Sequence, residues 1–287
     1  MLFRSMALIH EAIGVVVFDN TGSFNVGNNV LMIPNTPIEE DEYVSANYLP
    51  SSKFRGSGFD GFTSDLIQLN PDRLVKLPEN FNLEISAFIE LISVICHGID
   101  RFEKIAIKHK NRFGVWGDGN LGYITALLLK EFYPENEVIV IGKHSENLNL
   151  FSFAAETYKV HEVPDDLAID HGFECVGSNA SQAAINQITN VINPQGSIIL
   201  FGVSEYPIPV NTRLVLEKGL TIQGISRSER KDFIKVIETL KNNPKLFDSL
   251  DKLVGDVVAI ESLADLKQAF DKDYISGFGK TILRWNK

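Results

Sequence analysis

Phe113-Gly114-Val115-Trp116-Gly117-Asp118-Gly119-Asn120-Leu121-Gly122 is the stretch whose reading decides the fold. Phe113 to Trp116 is a short apolar run of strand character, and Ile124, Leu127, Leu128 and Phe132 then recur at helical spacing. The backbone therefore turns from strand to helix across the three glycines. Gly117 permits a tight turn, Gly119 leaves backbone amides open to close approach, and Gly122 lets helix and strand pack tightly. The start of that helix offers N–H donors and positive dipole to an anionic group.

One strand further on, Val138-Ile139-Val140-Ile141 completes the unit that a dinucleotide-binding turn requires. Gly117, Gly119, Asn120, Leu121 and Gly122 are thus expected to hold the diphosphate bridge of a nicotinamide coenzyme. The tip of the second strand selects which one. NAD-selective sites place Asp or Glu there for the ribose 2′-hydroxyl. This chain has Gly142-Lys143-His144, and a cation in place of the carboxylate suits the 2′-phosphate of NADP, with Lys143 as the expected contact.

Downstream, the apolar runs 173–176, 198–201 and 220–225 alternate with helical segments at 180–192 and 230–242, the latter ended by Pro244. Short buried strands separated by amphipathic helices predict an α/β, doubly wound parallel sheet. Cys175 and Val203 fall at the carboxyl edge of that sheet, where they are expected to line the coenzyme; for Cys175 this is a better reading than a nucleophile. Upstream, Ile13–Phe18 and Val30–Ile33 read as strands around the turn Asp19-Asn20-Thr21-Gly22. Pro34 to Gly61 reads as a long irregular loop with a solvated acidic cluster at 39–42, and Phe62–Leu69 as a resumed strand. Val257–Ala259, a helix around Leu263–Phe270 and a strand Thr281–Trp285 end the chain. Residues 1–88 and 247–287 are assigned to a β-rich catalytic domain, and 89–246 to the dinucleotide domain.

At 287 residues the length suits two domains. A formal net charge of −10 argues against nucleic acid or an anionic membrane as partner, yet leaves room for a small phosphorylated substrate in a locally cationic pocket. No run of about 18 apolar residues exists for a membrane span. Met1 to Met6 holds too short an apolar stretch for a signal peptide. Two cysteines, Cys96 and Cys175, cannot form a disulfide framework or a four-cysteine zinc lobe, and a reducing cytoplasm is the expected home. Cys96 and His97 read as packed core residues.

His10-Glu11 stands directly before a strand, and Glu90 interrupts the apolar run Phe88-Ile89-Glu90-Leu91-Ile92. A lone buried glutamate is costly unless paired or ligated, and imidazole with carboxylate describes a catalytic zinc site. The pattern alone leaves metal binding and plain ion pairing open. Lys53, Arg55 and Arg227 are candidates for a substrate phosphate because guanidinium forks match phosphate oxygens; each alone also reads as a surface cation.

The order His10-Glu11-x-x-Gly14, Gly27-Asn28-Asn29-Val30, Glu90-x-x-Ser93-Val94 and Gly-x-Gly-x-x-Gly resembles the zinc-dependent medium-chain dehydrogenases. Trp116–Tyr123, Phe173–Gly177 and Asn211–Gly219 resemble bacterial ribulose-5-phosphate reductases (ribitol-5-phosphate dehydrogenases) more specifically. The resemblance implies a GroES-like catalytic domain beside the Rossmann domain, and NADPH-dependent reduction of D-ribulose 5-phosphate to D-ribitol 5-phosphate. It also implies a homodimer and a ribitol-5-phosphate cytidylyltransferase partner that supplies CDP-ribitol for teichoic acid or capsule. Catalytic zinc would rest on His10, Glu11 and Glu90, with no structural zinc, since 35–61 has no cysteines. The family's first zinc ligand, a cysteine upstream of the His-Glu pair, has no counterpart in the nine residues before His10, so the chain is expected to be an N-terminally shortened member. Two alternatives stay open: a catalytically impaired NADPH-binding homologue, and an NAD-linked polyol dehydrogenase.

Overall fold

The computed structural model describes residues 6–285; most of the Met1–Met6 opening lies outside them. In chain order the strands and helices are β1 (Ala12–Val15), β2 (Asn29–Met32), β3 (Asn35–Thr36), β4 (Lys53–Arg55), β5 (Gly58–Phe59), β6 (Leu74–Lys76), α1 (Leu83–Ser86) and α2 (Ile89–Glu103). There follow β7 (Arg112–Trp116), α3 (Asn120–Phe132), β8 (Glu137–Gly142), α4 (Ser145–Leu148), β9 (Glu156–Lys159), β10 (Ile169–Glu174), α5 (Ser181–Val191), β11 (Ile192–Leu200), α6 (Thr212–Lys218) and β12 (Thr221–Gly224). The described residues end with α7 (Arg230–Asn242), α8 (Leu246–Leu250), β13 (Val254–Ile260), α9 (Leu263–Ile275) and β14 (Lys280–Trp285).

Two compact units emerge, Met1–Val94 with Ser226–Lys287, and Ile95–Ile225. The boundaries expected from the sequence, at 88/89 and 246/247, differ from this division. One break falls inside the continuous helix α2, where periodicity gives no signal. The other shifts because α7 buries Phe233, Val236, Ile237 and Leu240 and packs on β6.

The second unit is one six-stranded parallel sheet in the order β9-β8-β7-β10-β11-β12, with the expected α/β character. Relative to the first strand the order runs 3-2-1-4-5-6, the doubly wound arrangement whose switch point lies between β7 and β10. Trp116, Ile139, Ile141, Ile169 and Ile198 on the strands and Ile188 on α5 form a core at 0–1% exposure, which is why the strands carry short apolar runs. Strand β9 and helix α6 escaped the sequence reading. Glu156-Thr157-Tyr158-Lys159 carries charges at both ends, as befits an edge strand, and gives no apolar run to find.

Among the described residues the first unit holds three small sheets: β1-β2-β6, β3-β4-β5 and the parallel pair β13-β14. Residues 34–61 are not one structureless loop but contain β3, β4 and β5. Phe62–Leu69 is not a strand; Phe62 and Thr63 instead donate N–H bonds to Leu8 and Ile9 carbonyls. Ser64 and Asp65 then break any period-2 pattern.

Candidate functional site

In the first unit the turn before β1 presents His10 and Glu11. Ile9 has φ +65°, a left-handed conformation that a β-branched residue rarely takes. The turn is held because Phe62 N–H reaches both the Leu8 and Ile9 carbonyls at 2.9 Å, and Gly61 packs so closely that a Cβ there would lie 2.2 Å from the Leu8 oxygen. Such strain is worth roughly 1–3 kcal/mol and persists only where the surroundings enforce it.

Glu90 comes from the first turn of α2 and is 5% exposed. The ligating atoms of His10, Glu11 and Glu90 all lie within 4.8 Å of one another. His10 Nε2 is 3.9 Å from Glu11 Oε1. Lys280, on β14, donates its ammonium to Glu11 Oε1 and lies 6.0 Å from the Phe88 ring centre. Burial, and secondarily the charge of Glu11, push the Glu90 carboxyl up to about 8, with Lys280 acting the other way. Burial lowers the His10 imidazole, opposed by Glu11 and reinforced by Lys280. Two crowded carboxyl groups and a neutral-leaning imidazole form a donor set of the kind that binds zinc, Glu90 giving up its proton when the ion is held, so the residues present fit that ion.

The three cations named from the sequence are placed unequally. Arg227 stacks its guanidinium 4.8 Å from the Phe54 ring centre, and the same ring lies 5.1 Å from His10. Its Nη1 donates to the Ser52 carbonyl at 3.3 Å, and its backbone holds φ +60°. Arg227 is therefore one aromatic ring from the imidazole. Lys53 and Arg55 both lie over Phe59, at 5.6 and 4.8 Å. Arg55 also donates to the Asp60 carbonyl at 3.1 Å, so part of its fork is committed within the loop.

The second unit places its motif at the switch point. Gly117 has φ +126°, and a Cβ there would meet the Cys175 carbonyl at 2.8 Å. A Cβ on Gly122 would lie 1.9 Å from the Gly117 oxygen, so only glycine permits this closeness. Gly119 differs: a Cβ there meets nothing within 4 Å, which leaves open the space that a diphosphate needs. It is also the N-cap of α3 and supplies no side-chain cap to the first-turn amides. Asn120 and Leu121 open that helix. This cradle fits a dinucleotide. Lys143 is exposed just past β8, Val203 is 84% exposed, and Cys175 is buried with Sγ 3.5 Å from Thr125 Oγ1. Burial pushes the Cys175 thiol well up, away from thiolate chemistry.

The model of the family described as zinc-binding dehydrogenase matches residues 153–242. The ribulose-5-phosphate reductase 1 of Staphylococcus aureus is 51% identical over 98% of this chain and 82% of its own length. The chain belongs to the ribulose-5-phosphate reductase family. Other family members are that of Bacillus spizizenii, at 48% identity over 98% of this chain and 82% of its own length, and that of Streptococcus pneumoniae, at 40% over 98% and 80%. The crystal structure of S. aureus TarJ in complex with NADPH superposes with a TM-score of 0.88 at 47% identity, over 98% of this chain and 82% of that one. L-idonate 5-dehydrogenase from Escherichia coli shares the fold, with a TM-score of 0.83 at 18% identity over 98% and 82%.

Within this chain, three residues that the sequence left without a role shape the two candidate sites. Lys280 is 269 positions from Glu11, and no local pattern points to it. Glu174, 1% exposed, accepts N–H bonds from Val176, Gly177 and Gly202 and the Ser181 hydroxyl, at 2.8–3.1 Å. It ties the loop after β10 to the loop after β11; the available signal was an acid inside the apolar run 173–176. Asp118, inside the glycine motif, accepts N–H bonds from Lys143 and His144.

Proposed function

We propose that this chain reduces D-ribulose 5-phosphate to D-ribitol 5-phosphate with NADPH and a catalytic zinc. The observation that carries this reading is 40–51% identity over 98% of the chain to reductases named for that substrate. The open Gly119 cradle and the His10–Glu11–Glu90 cluster support it.

When bound, zinc supplies Lewis acidity toward the C2 carbonyl oxygen, and the coenzyme supplies the hydride. The residues assigned to zinc are His10, Glu11 and Glu90. The lowered imidazole keeps His10 neutral and its lone pair available near neutral pH. Glu11, hydrogen-bonded to Lys280, is assigned to relay the proton that the new hydroxyl gains. Arg227 is the foremost candidate for the sugar phosphate, with Lys53 and Arg55 beside it. In the second unit the α3 N-terminus holds the diphosphate, Cys175 and Val203 line the coenzyme, and Lys143 meets the 2′-phosphate.

The expected biological setting is the cytoplasm, as a homodimer that hands its product to a cytidylyltransferase for teichoic acid or capsule synthesis. Among the described residues no helix is long and apolar enough to cross a membrane. Purified protein supplied with zinc is expected to oxidise NADPH on addition of D-ribulose 5-phosphate, with D-ribitol 5-phosphate as product. Turnover only with NADH and an unphosphorylated ketose would replace this reading by an NAD-linked polyol dehydrogenase. NADPH binding with neither zinc uptake nor turnover would leave a non-catalytic binder.

A further inference from the structure

Asp118 puts a carboxylate inside the glycine turn. It stands between Gly117 and Gly119, in a turn whose amides are built to receive an anion, and a carboxylate there repels the group the turn attracts. Its charge is turned away from that task. Asp118 Oδ2 accepts the Lys143 N–H at 2.8 Å and the His144 N–H at 2.5 Å, and His144 Nδ1 lies 3.2 Å from the same oxygen. Asp118 is 8% exposed, so these are sheltered, charge-assisted contacts. They pin the backbone at the tip of β8 to the glycine turn after β7.

The same side chain also fills the neighbouring volume. A Cβ on Gly142 would lie 2.5 Å from Asp118 Cβ and 2.8 Å from both its Cγ and Oδ2. The strand tip is where NAD-selective folds mount the acid that grips the ribose 2′-hydroxyl. With Asp118 present, no side chain can begin at residue 142 without displacing it.

We propose that Asp118 is the positioning residue that sets the coenzyme preference of this chain. It acts in two ways. It fixes the backbone of Lys143 and His144 so that both side chains address a 2′-phosphate, and it excludes an acidic 2′-hydroxyl ligand from residue 142. Because Asp118 takes the Nδ1 edge of His144, the half-exposed ring keeps Nε2 for the phosphate. This inference rests on the NADPH reading above and deepens it, adding His144 to Lys143 as a phosphate contact.

The test is titration of NADPH and NADH, by coenzyme fluorescence, into the wild type and three variants whose folding is checked by thermal melting. The wild type is expected to favour NADPH. Asp118→Ala should weaken NADPH by about tenfold while leaving NADH nearly unchanged, so that the preference collapses. Asp118→Asn keeps an oxygen able to accept both N–H bonds and should retain most of the preference. The double variant Asp118→Gly with Gly142→Asp should favour NADH. A folded Asp118→Ala that weakens both coenzymes equally, or neither, overturns the proposal. So does a double variant that still favours NADPH, or a folded Asp118→Asn that has lost the preference; these two keep the test decisive if the alanine variant does not fold. A wild type indifferent between the coenzymes would instead bring down the NADPH reading itself.

Discussion

The two units assemble their sites by opposite routes. In the second, the coenzyme cradle is written within ten consecutive residues, 113–122, and a regular parallel sheet delivers them to the switch point. In the first, the candidate metal cluster draws on His10, Glu11, Glu90 and the supporting Lys280, brought together by short strands and a strained turn at Ile9. A local motif borrows its geometry from backbone hydrogen bonds. A dispersed one depends on every loop that carries it.

The contrast is sharpest where chemistry and coenzyme binding can be separated. His10→Ala should cut turnover on the order of 10³-fold and lower zinc content, while NADPH affinity stays unchanged. Paired activity assays, metal analysis and coenzyme titration check this. Loss of NADPH binding by the same variant would break the view that the two sites are built independently.

The second unit also holds a pH-sensitive core residue. His171 is fully buried, takes the Ser197 N–H on Nδ1 at 3.1 Å and lies with Nε2 3.2 Å from the His109 carbonyl, so the neutral ring satisfies both contacts. Burial lowers its imidazole from 6.5 to about 4. Between those values the unfolded chain binds the extra proton and the folded one does not. Stability from this group is therefore complete above about pH 6.5 and is lost as pH falls toward 4, by roughly 3 kcal/mol at most. Denaturant melts of the wild type and His171→Gln across that range should show the slope in the former and a shallower one in the latter.

A smaller effect is expected at the cradle. Gly119→Val should weaken NADPH about 100-fold, near 2.7 kcal/mol, while stability falls only by the roughly 1 kcal/mol of a poorer N-cap, because its Cβ enters open space and not protein. Gly122→Ala is its counterpart: there the Cβ meets backbone, and stability should fall together with affinity. Equal behaviour of the two variants would erase the distinction between a cleared glycine and a packed one.

The smallest change tests the dispersed site. Arg227→Ala should raise the KM for D-ribulose 5-phosphate about tenfold with kcat and the KM for NADPH little altered, as expected for a binding contact to phosphate. Lys53→Ala and Arg55→Ala should do less, Arg55 being partly committed to Asp60 and the Phe59 ring. A larger effect from either would move the phosphate site toward β4.

What the sequence determined by itself was whatever rests on local periodicity. Helices α3 and α7 begin and end where the pattern sets them, and the switch from strand to helix at Gly117 follows from glycine geometry alone. His10, Glu11 and Glu90 stood out because each is a polar group in an apolar setting, and burial makes such groups costly. Tertiary structure decided what distance in the chain conceals. It seated Lys280 on Glu11, turned Asp118 onto the amides of Lys143 and His144, gathered four donors on Glu174, and set Arg227 one ring from His10. Each of these is a pairing between side chain and a remote partner, and such pairings are fixed by packing, which leaves no period in the sequence to read.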